Sequence, residues 1–426
     1  MSIDVRPAKP SRTAAGEKTR AFGEIVRQFK EFGEISREST TTFQDGSELF
    51  PRTVPTITNE FWTSKQRAAS SLHEISYRAC FKPQLPRFFI ERLTRPGDIV
   101  YDPFMGRGTT PIEAALLGRV PFGCDVNPLS QLLTRPRLTP PTLDEIEERL
   151  QQIDFSPIER GPEELLVFYH PQTLAQIVAL RTYLLRRETA RELDAIDDWI
   201  RMTALNRLTG HSPGFFSVYT LPPNQAVSVK SQIKINADRR QTPPVRDVAK
   251  IILKKSRALL SDIDSQSRHS LSTPASRALF LTAPSSATPQ IPANSVALVV
   301  TSPPFLDVVD YEGDNWLRCW FAGIDPKSVR LTVPKKLTEW QAAMSAVFRE
   351  LYRGLKNGGH VAFEVGEVRG GKLKLEEAVV PCGIQAGFAA EMILINAQEF
   401  TKTANCWGVK NNSLGTNTNR IVIFRK

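Results

Sequence analysis

Ser302-Pro303-Pro304-Phe305 follows the apolar run Val296–Val300, and its residue types suit work on an amine. The exocyclic amine of a nucleobase is a poor nucleophile because its lone pair is delocalised into the ring. Acceptors aimed at its hydrogens favour a pyramidal nitrogen whose lone pair is free to react. The Ser302 hydroxyl and the Pro303 carbonyl are candidates for those acceptors. Pro303 and Pro304 stiffen the loop and remove backbone donors that would compete. Phe305 offers a face on which a base drawn out of its stack can rest. A plain Pro-Pro strand exit is the simpler alternative.

A second cluster lies upstream, in Asp102-Pro103-Phe104-Met105-Gly106-Arg107-Gly108-Thr109-Thr110. Gly106 and Gly108 allow a tight turn and a close backbone approach to a ligand. Thr109 and Thr110 are candidates to cap the helix that follows. NAD and flavin sheets use similar loops, but no Gly-Lys-Ser/Thr follows, which argues against a phosphate loop of the Walker type. Asp125 stands at the end of the next apolar run, where a carboxylate can accept ribose hydroxyls, and Asn127-Pro128 sets the next turn. A surface acid at a strand end is the bland reading of Asp125.

The intervening pattern supplies what must hold these groups. Ile99–Tyr101 and Val120–Asp125 read as buried strands around a helix from Thr110 to Leu117, with Gly118 as its stop. Strand, Gly turn, helix, strand and acid form a mononucleotide-binding unit. The spacing predicts helices over Gln84–Leu93, Leu143–Ile153, Pro171–Arg187, Leu193–Leu208 and Trp340–Leu355. It predicts strands at Ala278–Leu281, Val296–Val300 and His360–Gly366, and a late hairpin from Ala390–Ala397 and Arg420–Arg425. Residues 1–58 read as a polar N-terminal arm with one amphipathic helix over Lys18–Glu34, and Ser261–Ser276 as a polar surface connection.

Charge and cysteine usage narrow the class. The 426 residues hold Lys+Arg 55 against Asp+Glu 45, a net charge of +10, which favours a polyanionic partner. Lys230–Arg257 concentrates this, with nine basic residues and two acids. Lys230, Lys234, Arg239, Arg240, Lys250, Lys254, Lys255 and Arg257 are the candidate DNA contacts, against the ordinary reading of a solvated helix face. The five cysteines show no paired spacing, the histidines no metal spacing, and no apolar run is long enough for a membrane span. These features predict a cytoplasmic protein without a metal. The amide-rich tract Trp407–Asn412, continued by Gly415–Arg420, reads as a turn, with a place at the base pocket as the alternative.

Taken together, the chain resembles the bacterial DNA amino-methyltransferases over roughly 61–127 and 278–426. Thr-Ser-Pro-Pro-Phe is most like the cytosine-N4 group, since the adenine-N6 group typically opens its tetrad with Asp. The resemblance implies an α/β fold, a Rossmann-like S-adenosylmethionine-dependent sheet with a largely helical insertion. It divides the chain into a cofactor half (59–141), a helical basic insertion for target recognition (142–276) and a catalytic half (277–426). It implies that Lys82 and Pro83, within Phe81-Lys82-Pro83-Gln84-Leu85-Pro86, lie in the element contacting the methionine part of the cofactor. Asp102, Phe104, Gly106, Gly108, Thr109 and Thr110 would form the cofactor loop, Asp125 and Asn127 the ribose end, and Ser302, Pro303, Pro304 and Phe305 the catalytic tetrad. Leu281-Thr282-Ala283 and Ala297 depart from it, because the family often carries Asp there. The implied activity is methylation of cytosine N4 in duplex DNA by base flipping, with a cognate restriction nuclease as a further partner. Adenine-N6 methylation is the runner-up, ahead of an RNA base methyltransferase and of a DNA-binding subunit without catalysis. The oligomeric state is not legible.

Overall fold

The computed structural model describes residues 22–33, 36–43, 52–63, 69–77, 80–156, 160–220, 227–304, 311–329, 334, 336–368, 373–397 and 418–426. Phe305 and the tract 401–417 lie outside the described residues.

Phe22–Arg27 (α1), Arg37–Phe43 (β1) and Arg52–Asn59 (β2) come first. The stretch expected as an arm therefore contributes to the fold. Phe22, Val26 and Phe29 are buried against Phe61, Phe88 and Phe89, and β1 pairs antiparallel with β2. Its Arg-Glu-Ser-Thr-Thr-Thr run looks polar because β1 is an edge strand whose first six residues are not buried.

Gln84–Leu93 (α2), Ile99–Asp102 (β3), Thr109–Leu116 (α3) and Val120–Asp125 (β4) follow as the spacing predicts. Leu129–Thr134 (α4) leads into the insertion: Leu143–Gln152 (α5), Pro171–Ala190 (α6), Ala195–Leu205 (α7), Val229–Arg239 (α8), Val248–Leu259 (α9) and Ser265–Ser276 (α10). The last of these was expected as a surface connection. It is a helix capped by Asp264, with Leu271 buried. The part expected as the catalytic half holds Leu279–Thr282 (β5), Val296–Thr301 (β6), Tyr311–Ala322 (α11), Leu337–Gly354 (α12) and Leu355–Val365 (β7). A small hairpin, Glu367–Val368 (β8) with Leu373–Lys374 (β9), precedes Leu375–Gln385 (α13), Ala389–Ala397 (β10) and Thr418–Arg425 (β11).

The main sheet runs β1-β2-β10-β11-β7-β6-β3-β4-β5, and its stretch from β7 to β5 is parallel. Strand alternation sorts its core. Val100, Leu298, Val300, Ile421 and Ile423 face α1 and α2, while Tyr101, Val299, Val361, Val422 and Phe424 face α12 and α13. The order reverses between β3 and β6, so the loops leaving them, with the Gly turn and the tetrad, open on one crevice. A third cluster is continuous from Met105, Ile112, Leu129 and Leu133 into Leu174, Ile177, Trp199 and Ile252 of the insertion.

Candidate active site

Asp102 ends β3 and is buried at 1% exposure. Its carboxylate accepts from the Phe104 backbone N–H at 3.0 Å and the Thr301 hydroxyl at 2.6 Å. Burial pushes its pKa up to about 7, against those hydrogen bonds. The chain then turns through Gly106 (φ 48°) and Gly108 (φ 79°). The two glycines have different reasons. Gly106 borders the cavity described below. A Cβ on Gly108 would instead meet Thr134 of α4, with Oγ1 2.3 Å away. Thr109 and Thr110 do not cap α3, whose N-cap is Gly108 without a side-chain bond. The Thr110 hydroxyl reaches the Val300 carbonyl at 3.0 Å, tying the loop to β6, and Thr109 accepts from Arg107 Nε at 3.2 Å.

Asp125 ends β4 and faces the turn. Its Oδ2 accepts from the Gly106 N–H and its Oδ1 from the Asn127 N–H, both at 2.9 Å. Burial raises its pKa. Asn127 is buried, and its side-chain oxygen accepts from the Leu129 N–H at 3.0 Å, which starts α4. Arg107 binds the upstream segment to the loop, donating to the Ile75 carbonyl at 2.8 Å. His73 anchors the same segment on Glu113 of α3 at 2.8 Å.

A cavity of about 470 Å³ brings the two motifs together. Asp102, Phe104, Gly106, Thr109 and Asp125 line it from the cofactor half, and Ser302 and Pro304 from the tetrad. The upstream stretch contributes Tyr77, Cys80 and Phe81 to the wall, in place of the expected Lys82 and Pro83. Lys82 is exposed, and Pro83 is buried at the start of α2. Gly108, Thr110, Asn127 and Pro303 are also not in the wall; the first three support it from behind.

Other wall residues escaped the sequence reading. Pro284, Ser285 and Ser286, just after β5, form a side of the cavity, and the Ser285 hydroxyl bonds the Pro103 carbonyl. Trp340 and Met344 of α12 form another, with Trp340 Nε1 donating to the Pro304 carbonyl at 3.0 Å. The most telling omission is Glu364. It is 8% exposed on β7, with its carboxylate in hydrogen-bonding contact with the Ser302 hydroxyl and with Asn419. Burial pushes it up to about 7. An acid inside His360-Val-Ala-Phe-Glu-Val, a buried strand, was the available signal.

The insertion's cations do not share one face. Lys230, Lys234, Arg239 and Arg240 are exposed on or just after α8, with Arg239 3.7 Å over the Tyr219 ring. Lys250, Lys254 and Arg257 are exposed on α9, whereas Lys255 turns inward at 12% side-chain exposure.

Residues 25–131 match the family described as DNA methylase. That segment is similar to the DNA methylases. Among similar proteins, Type II methyltransferase M.BsoBI of Geobacillus stearothermophilus is 25% identical over 315 residues, 69% of this chain and 60% of that protein. The chain thus spans less than two thirds of that relative's length. Type II methyltransferase M.MvaI of Kocuria varians is 32% identical over 97 residues, 22% of this chain and 20% of that protein. A solved TehB-like S-adenosylmethionine-dependent methyltransferase from Corynebacterium glutamicum is similar at 7% identity and a TM-score of 0.29, over 82% of this chain and 90% of that one. The fold is an α/β sheet with a largely helical insertion, as expected. Among the described residues, no helix is long and apolar enough to cross a membrane.

Proposed function

We infer that this DNA methylase transfers a methyl group to the exocyclic N4 amine of cytosine in duplex DNA, after the base has swung out of the helix. The observation that carries the reading is the meeting of Ser302 and Pro304 with Asp102, Gly106 and Asp125 around one cavity. The residues fit the cofactor. Backbone donors from Gly106 and Asn127 fix the Asp125 carboxylate beside the turn, where it can meet a ribose hydroxyl, and Gly106 leaves the wall free of a side chain. Bound there, S-adenosylmethionine supplies an electrophilic methyl on a sulfonium.

The chain's own groups prepare the amine. Ser302 donates its O–H to Glu364, so its oxygen lone pairs face outward to accept from the amine. The Pro303 carbonyl is the second acceptor, and Phe305 the stacking face. Forming the N–C bond would break the methyl–sulfur bond and leave a neutral thioether; the amine then loses an N–H proton, which passes by way of the Ser302 oxygen to Glu364. A carboxyl near pKa 7 is suited to hold it. Ser302, in place of an acid, keeps full charge out of direct contact with the amine, which favours cytosine over adenine on the resemblance stated above.

The exposed cations of α8 and α9 would grip the phosphate backbone, and base contacts from the insertion would choose the sequence. Relatives named Type II methyltransferases make a cognate restriction nuclease the proposed partner, in a cytoplasmic setting. Tritiated cofactor and plasmid DNA, followed by nucleoside mass spectrometry, test the reading. N4-methylcytosine is expected. N6-methyladenine as the sole product would move the target base, and no methylated nucleoside would remove the activity.

A further inference from the structure

Four neighbouring strand ends build the cavity. β6, β3, β4 and β5 lie side by side and parallel, so Ser302, the Gly turn, Asp125 and Ser285 follow one another along a single edge of the sheet. Three strand spacings separate the first from the last, roughly 14 Å. That order restricts how a nucleoside with a tail can lie there. In S-adenosylmethionine the sulfur hangs from C5′ of the ribose and the purine from C1′, on opposite sides of the sugar. With the ribose at Asp125 and the reacting methyl beside Ser302, the purine falls at the end of β5.

That end carries a hydroxyl of fixed sense. Ser285 is 6% exposed yet lines the cavity, and its hydroxyl donates to the Pro103 carbonyl of the Gly-turn loop. The loop presenting it is pinned on both sides. Before it, the Ala283 N–H donates to the Asp125 carbonyl at 3.1 Å. After it, the Ala287 N–H donates to the Pro284 carbonyl at 3.0 Å, and Thr288 donates to Glu350 of α12 through its N–H at 3.0 Å and its hydroxyl at 2.7 Å. A serine free to rotate would donate or accept as a ligand required. Ser285 has given its proton to Pro103, so it offers a ligand only lone pairs. Val126 and Pro284 add apolar surface beside Asp125 and Ser285.

We propose that Ser285 selects the purine of the cofactor, accepting a hydrogen bond from the exocyclic N6 amine of adenine. The proposal rests on the methyl-transfer reading for its ligand and is independent of which DNA base is methylated. Hypoxanthine shows why the contact discriminates. It places a carbonyl where adenine has its amine. That carbonyl would either face the Ser285 lone pairs or draw the Ser285 proton away from Pro103, and each course loses a hydrogen bond.

Calorimetry on the full chain with S-adenosylhomocysteine and S-inosylhomocysteine tests this without turnover. Wild type should bind the adenosyl compound about 10-fold more tightly, the scale of one unmet hydrogen bond. Ser285→Ala should weaken S-adenosylhomocysteine while changing S-inosylhomocysteine by no more than about twofold, so the ratio shrinks. Ser285→Cys, whose sulfur is a weak acceptor, should act alike, and a thermal melt checks that each variant folds. Equal affinity of wild type for the two compounds overturns the assignment and needs no variant. So does a folded variant that keeps the wild-type ratio, whether or not both affinities fall, because the serine then only ties its loop to Pro103. Either result leaves the methyltransferase reading standing. A wild-type chain that binds neither compound overturns the cofactor reading, and the Ser285 assignment with it.

Discussion

The Ser302 hydroxyl meets the Glu364 carboxylate across neighbouring parallel strands, because Thr301 and Phe363 are register partners and each chain takes one further step. The Asn419 side-chain amide donates to the same carboxylate from β11. Ser302 is thus oriented by a group that reaches the site from the far side of the tetrad's own strand.

That relationship gives a pH signature. Ionised Glu364 is the better acceptor for the Ser302 hydroxyl, so single-turnover methylation should rise as pH passes through about 7. Glu364→Gln should abolish the rise and slow the step roughly 10²- to 10⁴-fold above it, the usual range for a proton-transfer group. Equal pH profiles for the two proteins would take Glu364 out of the reaction.

Asp102 should make stability depend on pH. Its carboxyl is raised in the fold from 3.8 to about 7. A raised carboxyl stabilises fully below its unfolded pKa, and that contribution is lost as pH rises through the folded value. Between about pH 4 and pH 8, wild type should lose roughly 2–4 kcal/mol relative to Asp102→Asn. Urea unfolding of both proteins at each pH measures this, and a difference independent of pH would refute it.

How legible the site was depended on how local its signals are. The β3–α3–β4 unit stood out because glycines, an acid and short buried runs fall within one stretch of chain. Glu364 did not, since an acid in a strand gains its meaning only from the strand beside it, and that pairing joins residues far apart in sequence. The edge strand β1 was hidden for the opposite reason. A Thr-rich strand with its first residues unburied has the composition of a loop. Lys255 was grouped with its neighbours because charge counting ignores which side of α9 a residue occupies.

Gly108→Ala should destabilise the fold by roughly 2–4 kcal/mol, combining left-handed strain with a steric conflict. The new methyl would collide with the branch of Thr134. Gly106→Ala meets no neighbour closer than 3.7 Å and should cost less. Denaturant midpoints for the pair decide it; equal losses would show that backbone strain alone governs both positions.

Asp125→Ala should weaken S-adenosylmethionine binding by roughly 1–3 kcal/mol, the scale of charge-assisted hydrogen bonds to a ligand. Part of that loss is indirect, because the Gly106 N–H also loses its acceptor. Titration calorimetry on the folded variant is the measurement, and unchanged affinity would place the ribose elsewhere.

Replacing the exposed Lys230, Lys234, Lys254 and Arg257 with Gln should weaken DNA binding and flatten its salt dependence while leaving cofactor affinity alone. A salt slope identical to wild type would return these helices to the role of solvated faces.

The apolar cluster that runs unbroken from Met105, Ile112 and Leu129 into Leu174 and Trp199 bears on engineering. A recognition region resting on its own core could be exchanged between enzymes as a cassette. The helical insertion has its floor on α3 and α4, so a graft cut at its ends would leave apolar side chains of those helices facing strangers. A working chimera must carry Ile112, Leu129 and Leu133 across with the helices, and change would be accommodated at exposed positions more readily than by trading whole parts.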